Sequence, residues 1–222
     1  MQTPNAVLTR DKALLVEGDG EAKFFGALLK HLGYGDVEIR QYKGKDSLEV
    51  HLIAFMNGPG YDQVSAFAII RDADMDSEAA FQSVSGILGR KGLPVPKRSG
   101  VFANKAGKKV GVFIMPGSGE SGMLENLCLQ TVADHPIMPS ITSLFADFSA
   151  KLKKRDPPDA IMDQNTHYYP KNEPKAKVQA FLSGMHKTVC TVGAAAQENY
   201  WNLNHDSLTE LKGFLNNLRI PV

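Results

Sequence analysis

The sequence is poor in cysteine. Only Cys128 and Cys190 occur, far apart and outside any CxxC pattern, which argues against a zinc ribbon or a disulfide framework. No apolar run approaches the length of a membrane span. The opening MQTPNAVLTRDK lacks the apolar core of a secretory signal, so a soluble, cytoplasmic protein is expected, with no membrane partner. Charge of one sign is not in excess. The formal net charge is +1, so any nucleic-acid site must be a local patch rather than a global field. The six histidines are scattered, and none pairs at metal-ligand spacing. There is no GxxxxGK[ST] loop, no internal repeat and no low-complexity tract.

What remains is an ordinary globular composition over 222 residues, 43% hydrophobic and 22% charged, enough for a sizeable core. Ala13 to Val16 is a short apolar run stopped by Gly18 and Gly20, as in a buried strand. From Ala22 the spacing turns helical, with Phe25, Leu28, Leu29 and Leu32 on one face. Val37 to Tyr42 reads as a second strand. A helix with Leu48, Leu52 and Phe55 follows, opened by a capping-box pattern at Asp46 and Glu49. Val64 to Ile70 is a third apolar strand, and Phe81, Val84, Ile87 and Leu88 mark a third helix. The β-α-β-α-β-α order with near-continuous apolar strands predicts a mostly parallel sheet with helices on both faces. A hairpin is expected around Asn104 to Lys109. The flexible loop PGSGESG then leads into a helix bearing Leu124, Leu127 and Cys128. Beyond His135 prolines punctuate the chain. A helix over Ile141 to Lys154, a polar loop DQNTHYYPKNEPKAK and a final helix with a Ser207/Glu210 capping box are expected there.

In a parallel sheet of this kind ligands bind beyond the carboxyl ends of the strands. Glu17 falls at the end of the first strand, and Asp72 and Asp74 at the end of the third, so all three are predicted on one edge. Close carboxylates repel unless a cation neutralises them. Oxygen ligands without His or Cys suit Mg2+ or Mn2+ better than zinc. Asp76 and Glu78 read as acids decorating a helix N-terminus. Lys171, Lys175 and Lys177, near Tyr168 and Tyr169 in the polar loop, are candidates for contacting phosphates while the aromatics stack on bases.

The pair LLVEGDGEAKFF and AIIRDADMD resembles the Toprim domain of topoisomerases, bacterial-type primases, recombination-repair proteins and OLD-family nucleases. Its signature is a strand-end glutamate followed by glycine, matched by Glu17-Gly18, and a later strand-end DxD, matched by Asp72-Ala73-Asp74. Glu21, in the EGxxE form, and Glu125, in MPGSGESGMLENL, are similar to the OLD-like branch. The resemblance covers about residues 10 to 131, implying a Toprim-like, Rossmann-like α/β core, with residues 132–222 as a mainly helical extension packed on it. It implies a small stand-alone module of bacterial type. Glu17 would be acid, base or ligand, and Glu21, Asp72, Asp74 and Glu125 would be Mg2+ ligands. The implied function is metal-dependent phosphodiester hydrolysis of nucleic acid, DNA first. OLD nucleases carry an ATPase domain that has no counterpart motif here, so a partner protein would have to supply it. Two other readings stay open. One is a metal- or nucleic-acid-binding module without turnover. The other is a HAD-type phosphatase with Asp72 as nucleophile, disfavoured because that DxD normally follows the first strand.

Overall fold

The structure is a computed structural model that describes residues 7–152, 170 and 172–221. Strands β1 (Lys12–Val16), β2 (Val37–Gln41), β3 (Ala66–Asp72), β4 (Val101–Lys105) and β5 (Lys108–Met115) form one sheet in the order β2-β1-β3-β5-β4. All neighbours are parallel except β4, which pairs antiparallel with β5 as the expected hairpin. The helices are α1 (Asp19–His31), α2 (Leu48–Met56), α3 (Ser77–Arg90), α4 (Leu124–Gln130), α5 (Met138–Leu152), α6 (Glu173–Ser183), α7 (Val192–Gln197) and α8 (Thr209–Arg219).

Strand alternation sends successive side chains to opposite faces, and both faces are buried. Leu14, Val16, Ala68, Ile70, Phe113 and Met115 join one core cluster, which is completed by residues of α1, α4, α6, α7 and α8. Ala13, Leu15, Phe67, Ile69, Val112 and Ile114 join the other, under α2 and α3. Burial on both faces explains why the strands read as continuous apolar runs. The C-terminal half supplies most of one layer. Phe214 of α8 stacks on Phe102 with ring centroids 4.6 Å apart and meets Phe113 at 5.3 Å. Trp201 stacks on Phe181 at 5.5 Å, and its indole N–H donates to the Val192 carbonyl at 2.8 Å. Gly193 sets how closely α7 approaches α1, since a Cβ there would lie 2.4 Å from the Gly20 carbonyl oxygen.

Several local expectations change. Part of the polar stretch is helix: Asn172 accepts from the Lys175 amide at 3.0 Å and Pro174 sits in the first turn, so α6 begins at Glu173 and contains Lys175 and Lys177. Its polar composition masked ordinary N-cap and first-turn-proline signals. Tyr168, Tyr169 and Lys171 lie outside the described residues. Neither capping box forms. Lys45–Ser47 is a 3-10 turn before α2, and Glu49 instead reaches Arg90 at 2.6 Å and Lys91 at 2.9 Å. Asp206–Leu208 is a 3-10 turn capped by His205, which frees Glu210 for another partner. Helix α1 begins at Asp19, three residues before Ala22, which places Glu21 in its first turn.

Candidate functional site

Parallel pairing with Leu15 opposite Ile69 carries the ends of β1 and β3 to the same edge, so Glu17 and Asp72 leave the sheet together. Glu21 joins them from the first turn of α1. A Cβ on Gly18 would stand 3.1 Å from Glu21 Oε2, so the missing side chain leaves room for that carboxylate to fold back over the turn. Glu125 arrives from the first turn of α4, whose N-terminus faces Asp72, and the Leu124 amide donates to Asp72 Oδ1 at 3.1 Å. Helix N-termini favour nearby negative charge, which is why α4 tolerates two carboxylates at its start.

These acids feel one another. Burial, followed by the charges of Glu21, Glu125 and Glu17, pushes the Asp72 carboxyl well above its ordinary range, against the Leu124 N–H. Glu17 is raised by burial and then by Glu21 and Asp74, opposed by the Lys45 backbone N–H and Arg71. Glu125 is raised chiefly by burial, with Lys175 pulling the other way from 3.9 Å. Burial thus outweighs mutual repulsion at all three. Two neutral groups line the floor. Cys128 is fully buried with its thiol pushed up, and the Tyr42 hydroxyl donates to the Ile70 carbonyl at 2.8 Å.

Asp74 departs from the simple expectation. It lies past the end of β3 in left-handed backbone (φ 53) and exchanges two backbone hydrogen bonds with Gly122, at 2.9 and 2.8 Å. Its carboxylate bonds Lys45 Nζ at 2.8 Å. Among the described residues no three His, Cys, Asp or Glu side chains converge into a ready-made cage. The edge therefore holds Glu17, Glu21, Asp72 and Glu125 as a coupled set, with Asp74 beside Glu17 and tied to a lysine.

The cations near the edge differ from those expected. Lys175 is there, whereas Lys177 pairs with Glu173 at 2.7 Å and lies over the Phe145 ring. Lys45 and Arg71 are not among the cations the sequence pattern marks. The strand-end rule that selected Glu17 applies equally to the Lys43-Gly44-Lys45 turn after β2, where the Gly44 amide donates to the Glu17 carbonyl at 3.2 Å. The glycine-rich loop is fastened from two sides. Glu210 Oε2 accepts from the Ser118 amide and hydroxyl at 2.8 and 3.0 Å, and Ser77 Oγ donates to the Gly119 carbonyl at 2.6 Å.

In the comparisons, residues 11–220 match the model of a family described as a protein of unknown function (DUF3226), and the chain belongs to that family. No curated protein matches. Among solved structures, the chain is similar to the C-terminal region of the Xanthomonas campestris pv. campestris OLD protein. That likeness has 12% identity and a TM-score of 0.45 over 96% of this chain and 98% of that one. The C-terminal region of the Burkholderia pseudomallei OLD protein is similar at 10% identity and a TM-score of 0.48, again over 96% and 98%. No described helix is long and apolar enough to cross a membrane.

Proposed function

We propose that this DUF3226 protein is a Mg2+- or Mn2+-dependent phosphodiester hydrolase acting on nucleic acid, with its active site at the carboxyl edge of β1 and β3. The observation that carries the reading is the state of Asp72: a half-buried carboxylate with one amide donor, beside three other acids that raise it further. Such a group stands ready to take a hard cation, because neutralisation removes a repulsion already present. The donors are all oxygen, which fits Mg2+ or Mn2+; Glu17, Glu21, Asp72 and Glu125 would hold the ion, with Asp74 joining when Lys45 moves aside. A divalent ion at this edge would supply Lewis-acid polarisation of the phosphodiester.

The chain's own groups do the rest. Glu17 accepts the proton of the attacking water, and its raised pKa moves it toward the operating range of a general base. Lys45 and Lys175, exposed at the rim, meet the developing phosphoryl charge. The Leu124 amide at the start of α4 holds Asp72 in place. The sequence contains no P-loop lysine motif, so none of these residues is assigned to an ATP-driven step.

Incubation with Mn2+ and labelled DNA tests the reading. Wild type should cleave, and Asp72→Asn and Glu17→Gln should each lose about two orders of magnitude or more in rate with the fold retained. Equal cleavage by Asp72→Asn would overturn it. A binding module without turnover is the second reading, favoured by the Lys45–Asp74 pair, whose ammonium takes up part of the charge an ion would neutralise. Mn2+ binding without hydrolysis of any nucleic acid would select it.

A further inference from the structure

The sheet ends at β2, whose outer edge pairs with no other strand among the described residues; the segment of residues 7–10 lies against it, with Arg40 donating to the Val7 carbonyl at 3.2 Å and Arg10 to the Val37 carbonyl at 2.6 Å. Helix α1 rises on one side of it and α2 on the other, leaving two hollows that share Gly26, Lys30, Ile39 and Arg40 and so form one groove along the strand. One end of the groove carries Asp19, Tyr42 and Lys43, within two residues of Glu17 or of the turn that bonds it, which sets that end beside the carboxylate edge, although none of the site's acids lines the groove.

The charge of this groove is unlike that of the chain. The whole sequence is close to neutral at +1. The groove carries Arg10, Lys23, Lys30, Arg40 and Lys43 against Asp19 and Glu38. Both acids are already engaged, Asp19 with Lys23 at 2.7 Å and Glu38 with Arg40. Lys30 and Lys43 are exposed and have no carboxylate partner among the described residues. Lys43 is also held in left-handed backbone (φ 58), an arrangement a lysine adopts at a cost, which fixes where its side chain leaves the turn. Between the basic groups the floor is apolar, with Leu8, Ile39 and Phe55, and small residues Ala22, Gly26 and Ala54 keep the walls low.

We infer that this groove binds a single-stranded nucleic acid, its phosphates along the Lys30–Lys43 rim and its bases on the apolar floor, delivering the strand to the carboxylate edge. A polyanion matches the unpaired cations. A single strand matches the floor, because its bases are free to leave water for an apolar surface, whereas a duplex keeps its bases stacked inside. The five residues of β2 span about 16 Å, the length of about five stacked nucleotides. The inference deepens the phosphodiesterase reading and rests on it for the direction of the strand, but its binding test does not require chemistry.

The test is fluorescence anisotropy in EDTA with three probes: a labelled twelve-nucleotide dT strand, the corresponding rU strand and a DNA duplex of the same length. Wild type should bind a single strand at least about tenfold more tightly than the duplex; the dT and rU arms tell whether the strand is DNA or RNA. Lys30→Glu/Lys43→Glu should weaken binding at least about tenfold and lower the salt dependence by about 1.4 in log–log slope, two lysines at about 0.7 each. Both positions are exposed, so an unchanged melting curve verifies the fold. If that pattern holds and Mn2+ yields no cleavage, the groove stands and the hydrolase reading falls. If wild type cleaves but the double variant binds and cleaves like wild type, the hydrolase reading stands and the groove is overturned. Preference for the duplex, or no binding to any probe, also overturns it.

Discussion

Asp72 combines a backbone position set by β3, one hydrogen bond from Leu124, and three acidic neighbours. Its folded pKa lies above the unfolded value of 3.8, so the folded state holds the proton more tightly and gains stability at low pH. That contribution is complete below the unfolded pKa and is lost as pH rises through the folded one. Glu17 and Glu125, both raised above 4.5, act in the same direction. Asp11, Asp36 and Glu49 are lowered by Lys12, Arg219 and Arg90 with Lys91, and act in the opposite direction. The difference between proteins therefore isolates the site. In EDTA, Asp72→Asn should melt above wild type, and the gap should widen as pH is raised from 4 to 8, read by circular dichroism. A gap that is constant or shrinks with pH contradicts the description of Asp72 as a carboxyl raised by burial and by its acidic neighbours. Saturating Mn2+ at neutral pH should raise the wild-type melting temperature and leave Asp72→Asn nearly unmoved.

Helix α7 fits against α1 because Gly193 has no side chain: a Cβ would stand 2.4 Å from the Gly20 oxygen and 2.6 Å from Lys23 Cβ. Gly193→Ala should cost about 1–3 kcal/mol by overpacking and displace the first turn of α1, which carries Glu21. Urea denaturation and Mn2+ titration read the two effects, and unchanged values for both would contradict the packing account. The glycine-rich loop has a parallel dependence. Glu210→Ala removes two hydrogen bonds to Ser118, so it should cost about 1 kcal/mol and speed hydrogen exchange at Ser118 and Leu124. Neither device was legible in the sequence. Glu210 stood three residues after a serine and read as a cap, because a capping box is a local pattern whereas Ser118 is brought near only by the fold. Helix α6 was hidden by its polar composition. The three apolar strands, the hairpin and the common edge of Glu17 and Asp72 were legible, because periodicity and strand order determine them before any side chain packs. Glu21 and Glu125 are readable only through family resemblance, and Lys45 carries no motif of its own, although the strand-end rule reaches its turn.

At the scale of the molecule, the sheet is buried on both faces and the two halves of the chain divide the work: α2 and α3 close one face, and α1 with the C-terminal helices closes the other. Described residues after 132, from α5 to α8, are thus part of the core that holds the site edge, and Phe214, between Phe102 and Phe113, is central to the contact. Phe214→Ala should lose about 3–5 kcal/mol in one cooperative transition seen alike by tryptophan fluorescence and circular dichroism. Two separate transitions would instead mean that the C-terminal layer folds apart from the sheet. The central claim is that the carboxyl edge of this sheet gathers its acids around a divalent cation. Anomalous diffraction from crystals soaked in Mn2+ tests it most directly. The account predicts a peak about 2.0–2.3 Å from carboxylate oxygens of Glu17 and Asp72, absent from Asp72→Asn crystals; a soaked crystal with no peak at that edge, or with Mn2+ bound only at remote surface acids, would contradict it.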